Sequence, residues 1–354
     1  MACIQLSLNL QPPVVGYLNL AYPLSILSVR PVYLPWLSSH YVQLVCPQSG
    51  NGQGLNFYRH PAQPVALCPL LDVEWLNRDI AARTAGGVSR FVRDRINADY
   101  YVQLHVDEFH IPRRQAHRKA HYVHEILVFG YDDAARSFDI VGYDERGVYA
   151  ASRVGYADLE HAFDAVSGEA ADAGTASFPA KLWLARYLEE ARYDFDRQVV
   201  VEQLQDYLFG RNTSERMRLL DNPAGGDAYL GVRRKVPKVY GMDIYPRLHQ
   251  YMQSLTESGR PPSPIPWRIL WEHKKCMLLR VRYMEERGHL QPARNLGSEC
   301  AELADSAQTL RLMMLKFTVR PSGRLLARAR ARLHAIAESE ADLLRRLLGA
   351  LEEG

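Results

Sequence analysis

No CxxC pair occurs in the chain, and its five cysteines, Cys3, Cys46, Cys68, Cys276 and Cys300, are scattered and odd in number. That usage signals neither a disulfide framework nor a thiolate zinc site, so free thiols are expected. No apolar run reaches the ~18 residues a membrane span needs. The opening residues carry no basic stretch ahead of the apolar ones, so no signal peptide is expected and a cytoplasmic location is. HExxH is missing as well, because His124-Glu125 is followed by Ile-Leu-Val. Without that spacing, His117, His121, His124 and Glu125 read as a polar loop entering a strand, with no metal expected. An excess of one charge is absent too. Lys and Arg total 43 against 40 Asp and Glu, a formal +3, so no nucleic-acid partner is demanded.

What is present is enough apolar sequence, 47% of the residues, for one large core or two moderate ones. The chain changes character near residue 180. Before it, short runs rich in Tyr, Val and Ile are punctuated by Pro and Gly; after it, helical periodicity dominates. The expectation is an α+β domain over residues 1–178, then an all-α domain over 179–354. DAVSGEAADAGTASFP, residues 164–179, reads as a long loop or linker.

Within the first part, AYPLSILSV (21–29) reads as a helix start with Pro23 at the first helical position. HYVQLV (40–45) is strand-like. GVSRFVRDRINAD (87–99) puts Val88, Phe91, Val92 and Ile96 on one helical stripe. YYVQLHVDEF (100–109) alternates like a strand. In the second part the spacing predicts helices near 181–191, 197–209, 241–256, 267–287, 296–317 and 322–350. The arginines of the last helix read as a solvated face.

HEILVFGY (124–131) and SFDIVGYD (137–144) are strand-like, with DDAAR between them. If Tyr131 faces Ser137, every opposed pair sums to the same number and His124 faces Asp144. Opposed residues share a face with Cβ atoms about 4.5–5.5 Å apart, so an imidazole and a carboxylate there can bond. Such a carboxylate fixes the tautomer of a general base. A slip of one residue moves Asp144 to the other face, and a surface pair at two strand ends is the plainer alternative. A nucleophile commonly sits at a helix N-terminus, where backbone N–H groups favour a thiolate or oxyanion. AYPLSIL offers Tyr22, Pro23 and Ser25 there, and no cysteine.

HEILVFGYDD followed by FDIVGYDERG resembles the core of papain-like and double-glycine-peptidase-like folds. The closer resemblance is to the butirosin biosynthesis protein H family, which has a cysteine-peptidase-like N-terminal domain followed by a helical domain. GYLNLAYPLSIL, LPWLSSHYVQL, PLLDVEWLN, YYVQLHVDEFHIPRR, VYGMDIYPRL and WRILWEHKKCMLLRVRYMEE are similar to a branch found in nonribosomal-peptide gene clusters. Together they are spread over most of the chain, although no one motif is as diagnostic as a P-loop. The resemblance implies acyl transfer from a carrier-protein thioester to a small-molecule amine. Phosphopantetheine then enters only as part of the donor, with no cofactor of the chain's own and neither nucleic acid nor membrane as partner. His124 matches the family's base and Asp144 the acid that orients it; Asp107 falls in a matching Asp-x-aromatic-x-Ile-Pro segment.

The family places a cysteine where Ala21-Tyr22 stands, and tyrosine, with a pKa near ~10, is a poor acyl nucleophile. Three routes stay open: Ser25 as nucleophile, Cys46 or Cys68 entering from a loop, or no covalent step. The last is slightly preferred, since a thioester is already activated and base catalysis with proximity can suffice. A non-catalytic adaptor and a peptidase or amidase are the competing functions.

In strand geometry Tyr101, Gln103, His105, Asp107 and Phe109 share one face. A core would not bury those polar groups unpaired, so the face meets water or lines a cleft. Tyr22, Tyr101, Asp107, Glu108 and Arg113 are the candidate substrate contacts, with structural hydrogen bonds as the alternative. Arg113 and Arg114 can receive a phosphate or a carboxylate. The charged face of WRILWEHKKCMLLRVRYMEE is a candidate dock for an acidic carrier.

Overall fold

The computed structural model describes residues 2–48, 52–58, 68–79, 83, 87–166, 181–213, 238–258, 261–291 and 295–353. The expected linker, 164–179, lies almost wholly outside them. The chain divides into two compact units, one of residues 1–31 and 65–192, the other of residues 32–64 and 193–354. The boundary thus falls after residue 192, not at 178, and the segment 32–64 belongs with the helical part.

The first unit is α+β. Its strands are β1 (Cys3–Gln5), β4 (Leu71–Asn77), β5 (Tyr101–Asp107), β6 (Val123–Asp132), β7 (Ser137–Tyr143), β8 (Tyr149–Gly155) and β9 (Lys181–Tyr187). They form one sheet in the order β4-β9-β5-β6-β7-β8, with β1 pairing on β6, and every pairing is antiparallel. Val102, Leu104 and Val106 of β5, Ile126 and Val128 of β6, and Phe138 and Ile140 of β7 make one core face. Helices α3 (Val88–Ile96) and α4 (Tyr156–Asp164) cover it with Phe91, Val92, Ile96, Leu159 and Phe163. Burial of each such side chain is worth about 1.5–3 kcal/mol, which makes this layer the main stabilising term of the unit.

Helix α1 (Leu18–Leu27) begins five residues before Pro23, the expected first helical position, and carries that proline inside it. An interior proline costs about 3 kcal/mol. Leu18, Leu20, Leu24, Ile26 and Leu27 are all buried, and together they outweigh that cost. KLWLARY was expected to be helical but is the strand β9. It is bonded on both sides, Leu184 lying between Glu74 of β4 and Val102 of β5, and ladder bonding there overrides helix propensity.

The second unit holds α2 (Leu34–His40), α5 (Arg197–Leu208), α6 (Ile244–Ser258), α7 (Ile265–Glu286), α8 (Leu296–Val319) and α9 (Gly323–Glu353). It is not purely helical. β2 (Leu44–Pro47), β3 (Asn56–Phe57) and β10 (Lys238–Tyr240) form a three-stranded antiparallel sheet in the order β10-β2-β3. Its helices enclose the cation Lys274, whose Nζ donates to Glu340 and, at 3.2 Å, to the Tyr207 hydroxyl. Tyr245 donates to the same carboxylate, so the buried charges are paired and bonded. No helix among the described residues is long and apolar enough to cross a membrane.

Candidate functional site

The β6–β7 hairpin differs from the simple register. Asp132, not Tyr131, faces Ser137, and Asp132 Oδ1 accepts from the amides of Ala134 and Ala135 to close the turn. A bulge between Val128 and Gly130 then absorbs one residue, and Leu127 pairs with Val141. The two deviations cancel, so the expected pair sum of 268 holds beyond the bulge. The same bulge explains why Ile126 and Val128 share the core face with Tyr131, which has the opposite parity.

The residues around His124 are set by Asp107 at the end of β5. Asp107 Oδ1 accepts from the Phe109 amide and from the Tyr122 amide, both at 3.0 Å, so it ties the two ends of the 108–122 connection together. Its Oδ2 takes the Nδ1 proton of His121 at 2.5 Å. Burial pushes the Asp107 carboxyl up, but the bonds from His121, Phe109 and Tyr122 prevail and hold it below the usual range. The short turn Glu108–His110 brings the next residue, Glu108, back toward β6, its amide bonding the Tyr122 carbonyl.

His124 lies opposite Val106, and its Nδ1 donates to Glu108 Oε1 at 2.8 Å. A carboxylate accepts only, so the neutral imidazole carries its proton on Nδ1 and leaves Nε2 bare. Among the described residues nothing bonds Nε2, and the side chain is 28% exposed while that of Glu108 is 7%. The Tyr143 ring lies nearly parallel to the imidazole, centroids 6.5 Å apart, and the Tyr122 ring lies at 5.3 Å.

Asp144 stands elsewhere in the bonding scheme. Its Oδ1 accepts from the Arg146 and Val148 amides at 2.9 Å and closes the β7–β8 turn. Burial raises its carboxyl, but those amides, with Arg146 and Arg113 nearby, keep it below the usual range. Among the described residues no bond joins it to His124; Glu108 holds the position expected of Asp144. The expectation failed because the β6–β7 ladder ends at the Leu127–Val141 pair, three residues short of Asp144.

The expected nucleophiles are occupied. The Tyr22 hydroxyl donates toward the carbonyls of Glu125, at 2.9 Å, and Val141, at 3.3 Å, and so straddles β6 and β7. Burial, then the Glu125 charge, pushes that phenol well above its ordinary pKa. Ser25 is fully buried, its hydroxyl 2.8 Å from that of Tyr149. Burial pushes the Cys68 thiol up to about 12. Cys46 belongs to the other unit and is likewise raised by burial.

Tyr101 sits at the opposite end of β5, its hydroxyl donating to the Ser7 carbonyl, roughly 20 Å along the strand from Asp107 at ~3.3 Å per residue. Arg113 is exposed, with Glu145 at 3.9 Å. Arg114 is 2% exposed, and its Nη1 donates to the Tyr143 carbonyl at 2.7 Å.

The structure therefore brings together His124, Glu108, Tyr143 and Arg114, with Asp107–His121 beside them, and leaves Asp144, Ser25, Tyr101 and Cys46 in other bonding environments. VDEFHIPRR contains Glu108 and Arg114, but the fifteen residues between β5 and β6 hide their register with His124. Arrangements of this kind, a bare imidazole nitrogen backed by a carboxylate, accept and return protons. Among the described residues no group of three or more His, Cys, Asp or Glu is placed to hold a metal. Compared with models of known protein families and with curated proteins, the chain matches none.

Proposed function

We propose that the chain is an acyltransferase or release enzyme of natural-product assembly, of the nonribosomal-peptide kind, acting without a covalent acyl-enzyme. In this reading its first unit is a papain-like or double-glycine-peptidase-like domain, as the resemblance to the butirosin biosynthesis protein H family implies. The observation that carries the proposal is His124: Nδ1 is seated on Glu108, while Nε2 is bare and the ring partly exposed. Tyr22 and Cys68 are buried with their pKa raised, and Ser25 is buried and already bonded to Tyr149, so all three are poor nucleophiles, which supports direct transfer. Nε2 takes a proton from the attacking amine as the N–C bond forms. It returns that proton to the carrier's phosphopantetheine thiolate as the C–S bond breaks. Glu108 stabilises the intervening imidazolium.

A second reading, a non-catalytic adaptor that binds a carrier, is favoured by one observation, the Tyr22 side chain filling the place where the resembling family has cysteine. Transfer from an acyl-loaded carrier to an amine separates the two. His124→Ala is expected to lower transfer about 10²–10⁴-fold, with Cys46→Ser and Cys68→Ser unchanged. Carrier binding with no turnover by the wild-type protein would establish the adaptor instead.

A further inference from the structure

The Arg114 guanidinium is buried and makes one described bond, Nη1 to the Tyr143 carbonyl. Its Nε and Nη2 are buried and have no partner among the described residues. A buried cation left without a bonded anion is expensive, and native structures keep one only where it serves something. Its seat is specific. A Cβ on Gly142 would lie 3.0 Å from Nη2, 3.2 Å from Cζ and 3.4 Å from Nη1, so the plane of the guanidinium rests on that glycine. Glycine at 142 is what lets the cation reach the strand.

Two links run from this seat to His124. Arg114 holds the carbonyl of Tyr143, whose ring lies 22° from parallel with the imidazole. Tyr143 is fastened at its other end too, its hydroxyl donating to the Val15 carbonyl. The second link is charge. The anionic or phenolic groups facing Arg114 are Tyr22, Glu108, Asp144 and Glu145, and none of them bonds it directly among the described residues. Asp144 is engaged by the amides of Arg146 and Val148, and Glu145 by Arg113. Glu108 has His124. In a low-dielectric interior the attraction between a buried cation and a carboxylate is strong, and it draws the two toward each other.

We infer that Arg114 is a positioning residue for His124: it lays its buried charge beside the Glu108 carboxylate and holds Tyr143 in place, and so fixes the Nδ1–H tautomer that leaves Nε2 bare. The inference rests on His124 being the base of the proposed reaction, but it concerns the state of the imidazole and is read without any substrate.

The test is ¹⁵N NMR of the histidine side chains in the full chain at a pH where His124 is neutral, with His124→Gln assigning the signal. In the wild type the Nδ1–H tautomer is expected. Arg114→Met is expected to lose it, the two nitrogen shifts moving toward the averaged values of free imidazole. Arg114→Lys restores a cation and is expected to recover part of the wild-type pattern. Gly142→Ala, which pushes the guanidinium off its seat, is expected to give a smaller shift in the Arg114→Met direction. It also serves if Arg114→Met does not fold. A wild-type tautomer retained in folded Arg114→Met, or in Gly142→Ala if Arg114→Met is unfolded, overturns the role of Arg114. A wild-type protein that lacks the Nδ1–H tautomer overturns the His124 reading itself, so the two failures are distinct.

Discussion

Two acids, Glu108 and Asp144, compete for one role beside His124, and their bonds separate them. Glu108 takes the imidazole proton at 2.8 Å, while Asp144 takes two backbone amides of its own turn. Glu108→Gln replaces an acceptor-only group by an amide and frees the ring to adopt either tautomer. We expect it to lower transfer about 10²–10⁴-fold with little change in melting temperature. Asp144→Asn keeps the imidazole's partner and weakens the turn. We expect near-normal transfer and a stability loss on the order of 1–2 kcal/mol, measured by urea titration. The reverse ranking in the transfer assay would return the orienting role to Asp144.

At the scale of elements, the hairpin depends on the bulge that shifts β6 by one residue. Gly130, just past it, is where β1 comes closest. A Cβ there would stand 2.7 Å from the Ile4 carbonyl oxygen and 3.0 Å from the Gln5 Cα, both backbone atoms that cannot swing aside. Gly130→Ala is therefore expected to cost about 1–3 kcal/mol and to expose the β1 amides in hydrogen exchange. Unchanged protection of Ile4 and Gln5 would show that β1 is not held in this register. Strand β5 was legible from alternation in the sequence, β6 and β7 as strand-like runs, and the long helices of the second unit from their spacing. Leu127 facing Val141 was legible too, though by two compensating departures, a shorter loop and a bulge, that alternation cannot reveal. Pro23 misled because prolines usually start helices, and here five buried apolar neighbours carry one through the interior. KLWLARY misled because its partners on both sides lie more than seventy residues away along the chain. Glu108 stood out in the sequence as a candidate substrate contact but not as the histidine's partner, since only the folded 108–122 connection places it there.

Both units carry histidines whose burial sets how the whole molecule responds to acid. Burial, with Arg78 and His124 adding to it, pulls His105 of the first unit down to about 4; burial does the same to His40 of the second. His273, also in the second unit, lies well below its ordinary value because it is buried, with Lys274 beside it. Unfolded histidine titrates near ~6.5. Between that pH and about 4 the unfolded chain binds protons that the folded chain refuses, so stability falls as pH is lowered through the window. Above ~6.5 these residues contribute no slope. Melting temperature is expected to fall steadily from pH 6.5 to 4, and less steeply in His105→Gln; a flat profile there would contradict the burial of these rings. The central claim, that His124 drives a one-step transfer with no acyl-enzyme, is tested most directly by intact-protein mass spectrometry through a single turnover. Enzyme, acyl-loaded carrier and amine are mixed, quenched at intervals and weighed. The carrier is expected to lose its acyl group at the rate at which the amide appears, with no change in the enzyme's mass at any time and with both stopped by His124→Ala. An acyl adduct on the enzyme, or undiminished transfer by His124→Ala, would contradict that claim.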